Sequence, residues 1–201
     1  MVVSFPDVPR ETHTTLAEYV ALLLKWNKAI NLIGPSTESD IWNRHIHDGY
    51  QLLSYIPQGA KTLLDMGSGA GLPGLVVAVA RPALSVTLLE RDTRKAAFMQ
   101  EAIARLALKN AHVSCETIEV HTGAYDVVTA RALANLAKLC GYAYPLLGEN
   151  SPICLFAKGE NYATELAEAQ REWAFEHHVH PSAIQENSVI ISLSQLNKIE
   201  S

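Results

Sequence analysis

The chain has no apolar run near the roughly 18 residues that a membrane-spanning helix requires, and it has no internal repeat or low-complexity stretch. A membrane-spanning helix and a repeat array are both excluded. Its three cysteines, Cys115, Cys140 and Cys154, are odd in number and form no Cys-x-x-Cys pair. They read as buried thiols in a reducing cytoplasm rather than as a disulfide framework. The start, Met1 to Asp7, lacks a basic stretch followed by an apolar one, so no secretory leader is expected. Basic charge is scarce too: 16 Lys and Arg face 21 Asp and Glu, a net charge of −5. Only residues 62–115 hold a basic excess, six against four. Bulk charge therefore announces no nucleic-acid partner, and such a partner would need a local basic face. What is present is 201 residues in globular proportion, 48% hydrophobic and 18% charged. That length suits one compact unit that buries roughly 70% of its unfolded surface.

Residues 14–32 place Leu16, Tyr19, Val20, Leu23, Trp26 and Ile30 on one helical stripe, which Gly34-Pro35-Ser36 breaks. A second helix is expected from Thr37, with Ile41, Trp42, His45, Ile46, Tyr50 and Leu53 along it, closed by Pro57-Gln58-Gly59. From residue 61 short apolar runs alternate with helical ones. The pattern predicts strands over 62–66, 84–89, 111–115, 126–130 and 153–157, and helices over 75–80, 93–107, 133–144 and 161–172. Two last strands, 173–180 and 188–193, have no helix between them and read as a hairpin that adds one antiparallel member. The expected fold is α/β: a doubly wound, mostly parallel seven-stranded sheet with helices on both faces. Residues 1–60 would form an N-terminal helical extension packed on the core, and residues 61–201 the domain built on the sheet.

The most informative segment runs from Asp65 through Met66-Gly67-Ser68-Gly69-Ala70-Gly71-Leu72-Pro73 to Gly74. Glycines at alternate positions after a strand let the backbone turn sharply and approach a ligand with no Cβ in the way. The loop falls at the carboxyl edge of the first strand, where open parallel sheets bind nucleotide-like ligands. Glu90 ends the second strand, placed to accept hydrogen bonds from both ribose hydroxyls of an adenosine. Two cofactors fit, a dinucleotide and S-adenosylmethionine. Gly69-x-Gly71-x-x-Gly74 matches the dinucleotide fingerprint, but too few residues remain for a second nucleotide half and a substrate domain. Asp65 ahead of the first glycine suits an amino-acid ammonium better than a pyrophosphate. The methyl-donor reading therefore prevails, with Asp65, Gly67, Gly69, Gly71 and Glu90 as its residues and a Rossmann-like S-adenosylmethionine-dependent methyltransferase fold as its frame.

Further strings carry a resemblance. Lys25-Trp26-Asn27-Lys28-Ala29-Ile30-Asn31-Leu32, Arg44-His45-Ile46-His47-Asp48, the loop from Asp65 to Gly74, Arg94-Lys95-x-x-Phe98, Ala130-Arg131-Ala132-Leu133-Ala134 and Lys158-Gly159 occur in this order. Together they make the chain resemble the bacterial ribosomal RNA small subunit methyltransferase G family, also called glucose-inhibited division protein B. The resemblance implies S-adenosylmethionine-dependent methylation of guanine N7 in a decoding-region loop of 16S rRNA. It implies methyl-donor contacts at Gly67, Leu72, Ile118, Glu119 and Arg131. The partner it implies is 16S rRNA or the small ribosomal subunit, and the residues themselves lead us to expect a cytoplasmic monomer with neither membrane nor metal. Gly49 departs from the family, which often has serine there. The alternative is a methyltransferase of the same fold acting on a small molecule or protein, favoured by the acidic surface.

Guanine N7 has a free lone pair and no proton, so no general base is expected, and no residue is assigned that role. Lys25, Lys28, Arg44, Arg94, Lys95 and Lys158 are the candidate phosphate contacts. Trp26 and Trp42 sit on apolar stripes and are expected to pack rather than stack on bases. His45 and Asp48, one turn apart, read either as a structural hydrogen-bonded pair or as substrate ligands. An ion pair with Glu119 or Asp126 is the plain alternative for Arg131. His177-His178-x-His180 reads as a solvated edge strand rather than a metal site.

Overall fold

Seven strands form one sheet: β1 (Thr62–Met66), β2 (Ser85–Leu89), β3 (Ala111–Ser114), β4 (Val127–Arg131), β5 (Ile153–Lys158), β6 (Trp173–Pro181) and β7 (Val189–Lys198). This computed structural model describes residues 8–200, so the stretch Met1–Asp7, on which the expectation of no leader rests, lies outside them. The strand order is β3-β2-β1-β4-β5-β7-β6. Neighbours are parallel except at β7, which runs antiparallel to β5 and β6. The hairpin without a helix thus adds one reversed strand, as its sequence predicted.

Successive strand residues point to opposite faces, and both faces are covered. Leu63, Val86, Val127, Leu155 and Ile190 enter one core, while Leu64, Leu89, Val128, Phe156 and Ile191 enter the other. Burial on both sides is why these strands read as continuous apolar runs. The first core is closed by α1 (Arg10–Asn27), by an irregular helical segment over 35–54 that includes the single turn α2 (Asp48–Tyr50), by α3 (Gly74–Ala80) and by α4 (Thr93–Arg105). Leu16, Tyr19, Ile41, Ile46 and Leu52 from the N-terminal helices therefore share a core with Leu75, Phe98 and the strands. The second is closed by α5 (Leu136–Ala143) and α6 (Tyr162–Ala169).

Side-chain caps set the helix ends that periodicity misjudged. Asn27 Oδ1 accepts from the Leu32 and Ile33 amides (2.8 and 2.9 Å), turning the chain so that Ile30 lies beyond α1. Asn135 Oδ1 caps α5 through the Lys138 amide at 3.0 Å, so the helix starts at Leu136 and not at 133. Asp92 caps α4, accepting from the Arg94 and Lys95 amides, which explains an acid beside that basic pair.

The expected second helix is not regular. It passes from a 3₁₀ stretch (Pro35–Asp40) through a π turn (Trp42–His47) to α2 and another 3₁₀ stretch (Gln51–Ser54). In the π turn the Asp48 amide bonds to Asn43 O, so the Arg44 carbonyl is not taken up by the Asp48 amide as in an α-helix. Gly49 is buried, and a Cβ there would sit 3.3 Å from Pro73 Cβ and from Val76 Cβ. The departure from serine at this position therefore lets the segment lie close on α3.

Trp26 meets Phe98 edge-on with ring centres 5.7 Å apart, and Trp42 stacks on His13 at 4.9 Å, so both pack within the protein. Cys140 and Cys154 are buried, but Cys115, just past edge-side β3, is exposed, correcting the expectation of three buried thiols. β6 is an edge strand, yet His180 is not simply solvated: it stacks on Tyr55 at 4.2 Å and meets Ser192 Oγ at 3.0 Å. Among the described residues no helix is long and apolar enough to cross a membrane, and no cluster of three metal-ligating side chains occurs.

Candidate active site

The strand order reverses between β1 and β4, and open parallel sheets bind ligands in the crevice beyond the strand ends at such a point. Two cavities meet there. One, of about 370 Å³, is lined by Glu90, Glu116, Ile118 and Glu119 among others. The other, of about 550 Å³, lies between the irregular helix, the end of β4 and the β6–β7 turn, with Leu72, Arg44, His45, Asp48 and Arg131 in its wall. Gly67, Gly69, Lys95 and Ala132 belong to both walls. The sequence-predicted methyl-donor residues thus divide between two adjoining spaces, with the glycine loop as their partition, except Asp65 and Gly71, which line neither.

The loop glycines have different jobs. Gly69 has φ +58°, and a Cβ there would find only Gly67 O within 4 Å, at 3.9 Å, so its bareness serves an approaching ligand. A Cβ at Gly74 would overlap Leu88 Cδ2 and lie 2.8 Å from Asp65 Oδ2, so its bareness serves packing. Gly71 lines neither cavity and its Cβ would strike Leu75. Its bareness therefore serves packing against Leu75. From α1, the buried Tyr19 hydroxyl donates to Ala70 O at 2.6 Å and ties the loop to the N-terminal helix. Tyr19 was visible in the sequence only as one member of an apolar stripe.

Asp65 is 1% exposed; its Oδ2 accepts from the Gly74 amide at 3.0 Å, while Oδ1 is buried without a hydrogen-bond partner. Burial pushes its carboxyl up to about 7, against the pull of the Gly74 amide and of Arg131. Glu90 braces the loop in this structure, accepting from the Gly69 amide through Oε2 and from the Asp92 amide through Oε1, both at 2.9 Å. The orphaned oxygen, the open Cβ position at Gly69 and the carboxylates of the smaller cavity together fit S-adenosylmethionine, which carries an ammonium, a slender methionine chain and a ribose.

Arg131 ends β4 and lines the larger cavity, not the smaller. Its Nη1 donates to Arg44 O (3.2 Å), His45 Nδ1 (3.1 Å) and Asp48 Oδ2 (3.2 Å). The ion pair with Glu119 or Asp126 is not what forms: Asp126 instead accepts from the Lys61 and Thr62 amides. Nor do His45 and Asp48 pair with each other; both hold Arg131. Since His45 Nδ1 accepts, its Nε2 carries the hydrogen and donates to Thr37 Oγ1 at 2.8 Å. Burial, then the charges of Arg131 and Arg44, push His45 down to about 4, so the ring is neutral. Burial raises the Asp48 carboxyl, with Arg131 opposing. Asp48 Oδ1 accepts from Gln51, whose own carbonyl accepts from the Ala183 amide on the β6–β7 turn at 3.0 Å. No local pattern marks Gln51 or this turn as part of the site.

The six candidate phosphate contacts divide as well. Lys95 lies between the cavities and Arg44 borders the larger one. Lys25, Lys28 and Arg94 are exposed outside both linings, Arg94 paired with Asp92. Lys158 also lines the larger cavity, but its side chain is 9% exposed and its ammonium bonds Glu165 at 2.5 Å and Ala134 O at 2.9 Å, tying β5 to α6 and to the segment before α5. Its charge is thus paired within the protein.

A doubly wound sheet with one reversed strand and this loop at its switch point defines a Rossmann-like S-adenosylmethionine-dependent methyltransferase. The family model described as rRNA small subunit methyltransferase G matches residues 12–190. The chain belongs to that family. It is 42% identical over 194 residues to the ribosomal RNA small subunit methyltransferase G of Cereibacter sphaeroides, covering 94% of each chain. It is 43% identical over 203 residues to that of Methylobacterium nodulans, covering 98% of this chain and 94% of the other. Among solved structures, the fold is similar to the O-methyltransferase of Bacillus cereus in complex with SAH (TM-score 0.62, 13% identity, 94% of each chain). It is also similar to the ribosomal protein L11 methylase of Lactobacillus delbrueckii (TM-score 0.58, 14% identity, 78% of this chain and 79% of that one).

Proposed function

We propose that the protein transfers a methyl group from S-adenosylmethionine to N7 of a guanine in a decoding-region loop of 16S rRNA. The observation that carries this reading, in a chain of this family, is the meeting of an adenosine-sized cavity and a larger open one at Gly67 and Gly69. Bound S-adenosylmethionine supplies an electrophilic methyl carbon on a sulfonium sulfur. Gly67, Gly69, Glu90, Ile118 and Glu119 would hold its adenosine side, and Asp65, Leu72 and Arg131 its other end.

N7 arrives without a proton, so no side chain has to remove one. His45 and Asp48, beside the larger cavity, suit that chemistry. His45 turns its bare nitrogen to Arg131, and Asp48 gives its oxygens to Arg131 and Gln51. The chain's contribution is alignment, an effect that can supply roughly 7–11 kcal/mol. Arg131, fixed through three acceptors on the irregular helix, keeps the end of β4 and that helix in register around the base. Lys25, Lys28, Arg44, Arg94 and Lys95 would meet phosphates. Residues 1–60 act as an extension bracing a methyltransferase domain of residues 61–201, in a cytoplasmic monomer.

The test offers the protein undermethylated small subunits, naked 16S rRNA and a total protein fraction with labelled methyl donor. Label that maps to one guanine N7 is the expected result. Label in protein, or none in RNA, overturns the proposal.

A further inference from the structure

Beside the smaller cavity lies a polar cluster that the reaction above leaves unused. The chain bends after β3 so that Ser114 Oγ and His121 Nδ1 both donate to Glu116 Oε1, each at 2.6 Å. His121 Nε2 meets the Tyr125 hydroxyl at 2.9 Å, and the two rings stack with centres 5.9 Å apart. The His121 side chain is 7% exposed, that of Glu116 37%. One carboxylate oxygen is thus doubly occupied by a buried support, while the other, Oε2, has no partner among the described residues on a side chain that lines the cavity. The bonds from His121 and Ser114 hold the Glu116 carboxyl below its ordinary value, so it is ionised at neutral pH.

Glu119, three residues on, is differently placed. It is exposed, and its own backbone amide and the Thr117 hydroxyl, with Tyr142 and Lys138 near, keep its carboxyl below its ordinary value. It is engaged with its own turn, whereas Glu116 is braced from behind and open in front.

We infer that Glu116 is the residue that reads the exocyclic amino group of the methyl donor's adenine, with His121 as the positioning residue behind it. The inference rests on the donor reading given above and deepens it. An amino group at purine C6 offers two N–H donors to an acceptor-only carboxylate. A purine with oxygen at C6 would set two acceptors against each other, and a site built for an N–H group rejects the analogue that lacks it. His121 fixes the direction of the free oxygen because its ring is clamped between Glu116 and Tyr125.

Calorimetric titration of the whole chain with S-adenosylhomocysteine and with its deaminated counterpart, S-inosylhomocysteine, tests this directly. Wild type is expected to favour the adenosyl ligand by roughly ten- to a hundredfold, the range for a hydrogen bond to a charged group. Glu116→Gln keeps size and shape but can turn an amide N–H to the cavity. It should weaken S-adenosylhomocysteine about tenfold and erase or invert the preference. His121→Phe keeps a ring but removes the brace, and should narrow the same ratio, which a loss of general packing would not move. Equal weakening of both ligands in Glu116→Gln, or an unchanged ratio, overturns the role of Glu116 and leaves the methyl-donor site intact. Binding of neither ligand by wild type overturns the donor reading and this inference with it.

Discussion

Replacing Gly69 and Gly74 separately with alanine should split stability from binding. At Gly74 the backbone is ordinary, but the new methyl overlaps Leu88 Cδ2 and crowds Asp65 Oδ2 at 2.8 Å, in a site where all three residues are buried. Overpacking of that kind costs about 1–3 kcal/mol. If the Gly74 amide is pushed off Asp65, a second buried carboxylate oxygen loses its partner at a further ~1–3 kcal/mol. The sum, about 2–6 kcal/mol, lowers Tm by roughly 4–24 °C for a chain of this size. At Gly69 the methyl meets nothing closer than 3.9 Å, so only the left-handed backbone counts against it. That is worth about 1–2 kcal/mol, partly offset by the stiffer unfolded chain. Yet this methyl projects where both cavities share a wall. Thermal melts should therefore rank Gly74→Ala well below Gly69→Ala, while calorimetry with S-adenosylhomocysteine should show the larger loss of affinity, tenfold or more, in Gly69→Ala. A Gly69→Ala protein that binds like wild type would refute the assignment of the loop.

Three further outcomes are expected. Asp65 has a folded-state pKa of about 7 against an ordinary 3.8, so the stability tied to its protonated form is full below about pH 4 and lost as pH rises through 7. Asp65→Asn should therefore stabilise the ligand-free protein more at about pH 8 than at about pH 5 in denaturant titrations. Arg131→Met keeps an unbranched side chain but removes the bonds to Arg44 O, His45 and Asp48 together. It should lower kcat/KM about tenfold with the limbs of the pH–rate profile in place, whereas a lost limb would reveal a proton acceptor. Affinity for the small subunit should fall with salt at a log–log slope of about −2 to −4, for three to five phosphate contacts, and a flat response in filter binding would remove the five basic residues as its source.

Much of the fold was legible because burial repeats locally. Thr62–Met66, recovered to the residue, is buried on both faces and bounded by turn-formers, so one window of sequence contains its whole cause. Helix ends were less legible: α5 begins where Asn135 finds the Lys138 amide, a choice that periodicity does not encode. The irregular helix escaped because its apolar spacing is that of a regular one, while its π turn accompanies a carbonyl bonded to Arg131 from another element. The loop glycines were visible as a group, but their division into ligand-facing Gly69 and packing Gly74 depends on Leu88, a residue on the next strand.

The sequence by itself determined the doubly wound sheet, its reversed last strand and the glycine loop at the end of β1. These follow from periods of two and 3.6 residues and from backbone conformations that each segment carries alone. Only the tertiary structure decided which charges meet. Arg131 pairs with Asp48, 83 residues away, and Lys158 is spent on Glu165. Glu116, unmarked in the chain, gains a buried histidine behind it. A side chain's charge is written in its own residue type, but its partner is fixed by which elements pack together, and packing is set by the summed burial of the whole chain.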